Sequence, residues 1–286
     1  MTDSNPQPEP SLLADQALTL AGYRERDRSY YPTTESLLNK VPEITLYFWF
    51  IKVLATTVGE TAADFLDVNL GLGLTVTSAI MAALLAVCLV GQLRADRYVP
   101  WRYWVSVVLI SVVGTLVTDN LTDNLGVPLG LTTGVFSAAL LAAFAIWFWC
   151  EKTLSMHSIV TRRRELFYWL AILLTFALGT AAGDLVAESL KQGFGVSTLL
   201  FAAAIALVAG AYYVFRINAM LAFWLAYILT RPLGASFGDL LAQPVAEGGI
   251  GLGTLVTSGL FLTAIGGLVI WLTLTGKDLV APRKSV

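Results

Sequence analysis

Residues 42–66 read PEITLYFWFIKVLATTVGETAADFL, an apolar run that closes on a Gly59 and an Asp64 five positions apart. About 20 apolar residues suffice for a helix to cross the hydrocarbon core of a membrane, so this run is long enough to span. The same ending recurs downstream as GTLVTD (114–119), GTAAGD (179–184) and GASFGD (234–239). Successive glycines are 55, 65 and 55 residues apart, so the first and third copies, and the second and fourth, share an offset of 120. One Gly-x4-Asp would mean little, but four evenly placed copies mark a duplicated unit.

Composition agrees with a membrane setting. Of 286 residues, 56% are hydrophobic and only 13% are charged, about half the usual charged share of a soluble domain. A net charge of -2 gives no footprint for a nucleic acid. One His and two Cys exclude a thiolate or imidazole zinc centre as the main chemistry. No HExxH, GxSxG or Gly-rich phosphate loop is present, so the chain is not read as an enzyme, and no cofactor is expected.

Eight apolar runs are long enough to span: roughly 42–66, 74–93, 101–121, 130–150, 166–187, 195–215, 217–242 and 252–275. Fifteen of the 18 Lys and Arg fall on one side, from Arg24, Arg26, Arg28 and Lys40 through to Lys277, Arg283 and Lys284. Cationic loops stay in the cytoplasm, so both termini are expected there. The expected fold is all-α and transmembrane: eight helices as four parallel two-helix hairpin repeats around a pseudo-symmetric axis, the odd helices lining the inside. Residues 1–40 read as a polar cytoplasmic tail, 41–276 as the membrane domain, and 277–286 as a second short tail. Repeat boundaries fall near 41–98, 99–160, 161–216 and 217–276.

Each motif places a small residue before its Asp, namely Ala63, Thr118, Gly183 and Gly238. Gly-x3-small faces let helix backbones approach closely, so Gly59, Gly114, Gly179 and Gly234 are assigned to packing. Packing does not explain the acids, because carboxylates at membrane level face an interior or a water-filled cavity. Around a common axis, Glu60, Asp64, Asp119, Asp184 and Asp239 would converge. Five carboxylates need protons or cations to compensate them, and oxygen-only ligation suits hard divalent ions. At 1.5 Å per residue, Asp64 lies about 33 Å along the helix from Pro42, near the outer boundary of the core. The competing reading is therefore a set of solvated helix-end carboxylates.

Lys52 lies near the midplane, two turns before Glu60. Arg231 is the matching cation of the fourth unit, three residues before its Gly. Both are read as internal counterions, with capture of an anionic substrate as the alternative. His157, Cys88 and Cys150 carry no assigned chemistry, and Trp101, Trp104, Trp169, Trp224 and Trp271 suit interfacial belts or helix packing.

The stretch Lys40–Asp64, KVPEITLYFWFIKVLATTVGETAAD, resembles a bacterial family of uncharacterised integral membrane proteins built from a repeat of unknown function. Lys40, Val41, Pro42, Glu43, Lys52, Thr56, Thr57, Gly59, Glu60 and Asp64 stand where that family's first repeat places them. The resemblance covers about residues 40–276 and implies a multi-pass protein of the bacterial inner membrane. It brings no activity with it.

Function is therefore an expectation from the residues. The leading reading is a secondary transporter exporting a divalent cation of the Mn2+ type, with Glu60, Asp64, Asp119, Asp184 and Asp239 as ligands. The alternatives are an organic-anion carrier using Lys52 and Arg231, or a non-transporting anchor that binds other helices. The expected partners are the lipid bilayer and a small cation or solute, not nucleic acid; a homo-oligomer is compatible with the sequence.

Overall fold

A computed structural model describes residues 39–279. Residues 1–38 of the expected 1–40 tail and 280–286 of the expected 277–286 tail lie outside the described residues. Eight long helices form the body: α1 (Leu46–Asp64), α2 (Leu74–Leu93), α3 (Pro100–Asp119), α4 (Leu129–Glu151), α5 (Arg162–Asp184), α6 (Gly193–Phe215), α7 (Ala219–Ala242) and α8 (Thr254–Thr275).

Local chemistry sets their ends. Thr45, Thr161 and Asn218 cap α1, α5 and α7 by accepting from backbone N–H groups of the first turn. Pro100 opens α3, where its missing N–H costs nothing. Gly276 closes α8 in the left-handed conformation that glycine adopts freely. Three of the odd helices do not stop at their Asp. They widen into single π-helical turns, Phe65–Asn69, Asn120–Asn124 and Leu185–Ser189, an irregularity often found at functional sites. In α7, Pro244 ends the chain of turns instead, so the fourth repeat lacks one.

The odd helices close into a ring, α1 against α3, α3 against α5, α5 against α7 and α7 back against α1. The even helices lie outside it, and their placement differs from the expected hairpins. The helix α2 packs on α3, α4 on α5, α6 on α7 and α8 on α1. Each outer helix thus leans on the inner helix of the following repeat, and the last repeat returns to the first. The connection between an inner helix and its own outer helix spans a π-turn or loop and sets the two apart. Every repeat therefore needs its neighbour, and the ring closes only with all four.

Glycine makes the ring tight. A Cβ at Gly59 would strike Ser111, one at Gly114 Phe176, one at Gly179 Arg231 and Pro232, and one at Gly234 Thr56 and Thr57. The struck residue three before the next glycine is Ser111, Phe176, Arg231 or Thr56, so one crossing recurs four times. With no hydrophobic drive between helices in lipid, such close backbone approach supplies the packing energy.

Among the described residues seven helices, α2 to α8, are long and apolar enough to cross a membrane. The remaining helix, α1, carries Lys52, Glu60, Asp64 and a run of threonines, which lower its hydropathy. These groups face the ring interior rather than lipid: Lys52, Thr56, Thr57, Glu60 and Thr61 are all buried. The outer helices instead present large apolar side chains outward, such as Val87, Trp149, Leu207 and Tyr213. This is the architecture of a multi-pass membrane protein.

Candidate functional site

Positions four apart share a helix face, and in the inner helices one face points at the ring axis. Counted from each motif glycine, that face holds the residues eleven, seven and three before it and one and five after it. The axis is therefore a stack of four-residue layers, each drawn from all four repeats.

The first layer is aromatic: Phe48, Tyr103, Tyr168 and Phe223. Each is followed by a tryptophan that packs on the aromatic of the preceding inner helix. Ring centroids are 5.7 Å apart for Trp104 and Phe48, 5.5 Å for Trp169 and Tyr103, 6.4 Å for Trp224 and Tyr168, and 5.7 Å for Trp49 and Phe223. Tyr103 and Tyr168 hydrogen-bond through their hydroxyls at 2.5 Å. The result is a closed aromatic collar. Beside it, Lys40 Nζ donates to Glu165 Oε2 at 2.9 Å, and Gln92 Nε2 donates to Glu165 Oε1 at 3.2 Å, so this end of the axis is sealed. The aromatic–Trp pairs repeat at the same 55, 65 and 55 residue intervals as the glycines. Sequence reading placed three of these tryptophans in belts or packing without seeing that period.

Lys52 stands in the next layer. It is wholly buried, and its Nζ has no hydrogen-bond partner among the described residues. The ammonium lies 4.1 Å from the centre of the Phe176 ring and 4.2 Å from that of Tyr227. It does not bridge to Glu60 as an internal counterion, because another cation already holds that carboxylate.

That cation is Arg231, one layer on. Its side chain enters the space that Gly179 leaves open, which only a residue without a Cβ provides. Nη1 donates to the Thr56 carbonyl at 2.6 Å, and Nε to the Phe176 carbonyl at 3.4 Å. Nη2 donates to Glu60 Oε2 at 2.8 Å, to Thr180 Oγ1 at 2.6 Å, and to Thr115 Oγ1. Glu60, Thr115 and Thr180 are the equivalent residue, one after the glycine, in three repeats; the fourth has Ala235. The guanidinium therefore sits at the axis and reads three of four repeats at once. Arg231 is the internal counterion that the sequence suggested, and the threonines that complete its shell had no signal of their own.

Beyond Arg231 lies the acid layer. Carboxylate oxygens of Glu60, Asp184 and Asp239 come within 4.8 Å of one another, with Glu60 and Asp239 buried and Asp184 half-buried. Asp64 and Asp119 complete the layer of Asp184 and Asp239 but stand outside this set, which Glu60 joins from the layer before. Asp64 accepts from Gln243 Nε2 at 3.2 Å, and Asp119 lies within Coulombic reach of Glu60, Asp64 and Asp123. The expected ring of five thus resolves into a close trio with two flanking acids. Asp64, Asp119 and Asp184 are partly exposed, so this end of the axis opens outward past the π-turns, where Glu188 and Asp123 are exposed. Cys88 and Cys150 are free, in separate helices away from the axis.

Four parallel repeats, an aromatic collar at one end of their axis and a carboxylate layer at the other define an all-helical, internally repeated membrane protein. The chain belongs to the family described as Repeat of Unknown Function (DUF347), whose model matches it four times, at residues 47–98, 102–153, 167–218 and 222–278. No curated protein and no solved structure matches the chain.

Proposed function

We propose that the protein is a secondary transporter of a small cation, most suitably a divalent ion of the Mn2+ type. The observation that carries this reading is the trio Glu60, Asp184 and Asp239, whose oxygens lie within 4.8 Å of one another. Arg231 contacts Glu60 of this trio, so the oxygens of Asp184 and Asp239 remain for an ion, and carboxylate oxygens favour hard cations. From the Lys and Arg bias we assign the collar end to the cytoplasmic side. The acid layer then faces outside, in the inner membrane of a bacterium. In this arrangement the site is loaded or emptied from the outer side, while the collar and the Lys40–Glu165 pair close the inner one. Export is the direction we assign.

Glu60 is shared between two cations. Its Oε2 holds Arg231, so an ion docking on the trio draws on a carboxylate that Arg231 also needs. Binding therefore weakens the contact that plugs the axis, which is how occupancy would be felt further along it.

The organic-anion reading fares less well. Arg231 is wholly buried and its guanidinium already contacts five acceptors, so a substrate carboxylate would have to displace Glu60 to reach it. The assembly-partner reading relied on glycine faces, and these are used inside the ring.

The test is transport by the purified chain in proteoliposomes loaded with a Mn2+-quenched fluorophore. Mn2+-dependent quenching, lost in Asp239→Asn and Asp184→Asn variants that still fold, supports the reading. Equal quenching by wild type and both variants sinks it.

A further inference from the structure

We propose that Lys52 carries a proton that is exchanged for the transported cation, so that the coupling ion is H+. This deepens the cation reading and rests on it. Lys52 is fully buried and has no hydrogen-bond partner among the described residues, where it lies between the faces of Phe176 and Tyr227. A lone ammonium at membrane depth is expensive, and two aromatic faces recover part of that cost. The charged and neutral forms are thus close enough for a nearby charge to choose between them.

The groups around it decide which charge that is. From α7 come Tyr227 and Arg231, and Arg231 shares the Phe176 ring with Lys52, its guanidinium 5.5 Å from the centroid. From α5 come uncharged Phe176 and, in the collar, Tyr168; from α3 come Ser111 and, in the collar, Tyr103. The helix α8, also packed on α1, has no titratable side chain. On its own helix the nearest acid is Glu60, which Arg231 holds. Among the described residues Arg231 is therefore the fixed charge that bears on Lys52, and Glu60 is what neutralises Arg231.

A cation on the trio draws Glu60 away from Arg231 and leaves that positive charge uncompensated beside Lys52. The Lys52 Nζ–H bond then breaks, the electron pair stays on nitrogen, and the proton passes to water or a neighbouring hydroxyl. When the cation leaves, the amine takes a proton back. Ser111 Oγ and Tyr227 Oη belong to the same axial stack and are buried without partners. With the Tyr103–Tyr168 hydroxyl pair they provide O–H groups in successive layers towards the collar end.

The experiment mixes Mn2+ with the purified full chain in weakly buffered detergent and reads a pH indicator. Lys52→Met and Lys52→Arg should still bind Mn2+, with an affinity that varies less with pH than that of wild type, and release one proton fewer per ion bound. Equal release by wild type and both variants overturns the proposal. Absence of Mn2+ binding by wild type would instead overturn the cation reading. Lys52 is then judged by the pH profile of thermal stability, in which wild type should show a step that Lys52→Arg lacks. Superimposable profiles overturn the assignment on their own.

Discussion

Arg231 of the last repeat and Glu60 of the first meet at 2.8 Å, both buried, across the point where the ring closes. A buried pair of this kind contributes modestly as a pair, but breaking it leaves a bare charge. Removing one partner therefore costs about 3–5 kcal/mol. Glu60→Gln and Arg231→Met should each lower the unfolding midpoint strongly, and the double variant should lose much less than the sum. A double-mutant cycle by denaturant titration in detergent measures that coupling; additive losses would mean the contact is incidental.

The glycines make a sharper steric prediction. A Cβ at Gly179 would lie 3.0 Å from Pro232 Cδ and closer still to Arg231, whereas one at Gly210, on the outer helix α6, meets nothing. Overpacking at a closed crossing costs about 1–3 kcal/mol. Gly179→Ala should thus destabilise, while Gly210→Ala should be neutral or slightly stabilising through helix propensity. Thermal midpoints of the two variants, compared side by side, decide it.

The collar predicts a difference between neighbouring tryptophans. Trp104 is 1% exposed and packed on Phe48, while Trp101 is 54% exposed at the start of the same helix. Trp104→Ala should cost about 3–5 kcal/mol, the range for truncating a buried aromatic. Trp101→Ala should stay within about 0.5 kcal/mol, as for a surface change. Chemical denaturation of the two variants gives the comparison.

One pH effect lies outside the helices. His157 Nε2 is 3.7 Å from Glu43, and the Glu43 carboxylate beside it raises the imidazole pKa, outweighing the lowering effect of burial. A raised native value means the stabilisation is complete below the unfolded value near 6.5 and disappears as pH rises through the native one. Stability should therefore fall slightly as pH climbs through that window, and His157→Gln should remove the slope. Thermal melts at closely spaced pH values will show whether it does.

How far the sequence reached follows from what it can encode locally. The spans, the four repeats and the inward face of the odd helices were legible, because apolar length and a spacing of four are properties of one segment at a time. The glycine contacts and the approach of Asp184 to Asp239 followed from placing equivalent residues around one axis, and Glu60 joins them from one turn earlier on its own helix. The partners were not legible. Lys52 precedes Glu60 on its own helix, yet Arg231, 171 residues away, takes that carboxylate because Gly179 opens a space for its stem. The offset packing of outer helices was hidden for the same reason: chain order says which helix follows, not which one it touches. The aromatic–Trp period was present in the sequence at 48–49, 103–104, 168–169 and 223–224. It was masked by the commonness of aromatic residues in membrane helices.

The most direct test of the central claim is a Mn2+ titration of the purified full chain followed by electron paramagnetic resonance, in which free aqueous ion gives the signal. The account predicts saturable loss of that signal at one ion per chain, abolished in Asp239→Asn and Asp184→Asn and retained in Asp119→Asn. Binding unchanged by Asp239→Asn and Asp184→Asn, or no binding by wild type, would contradict it.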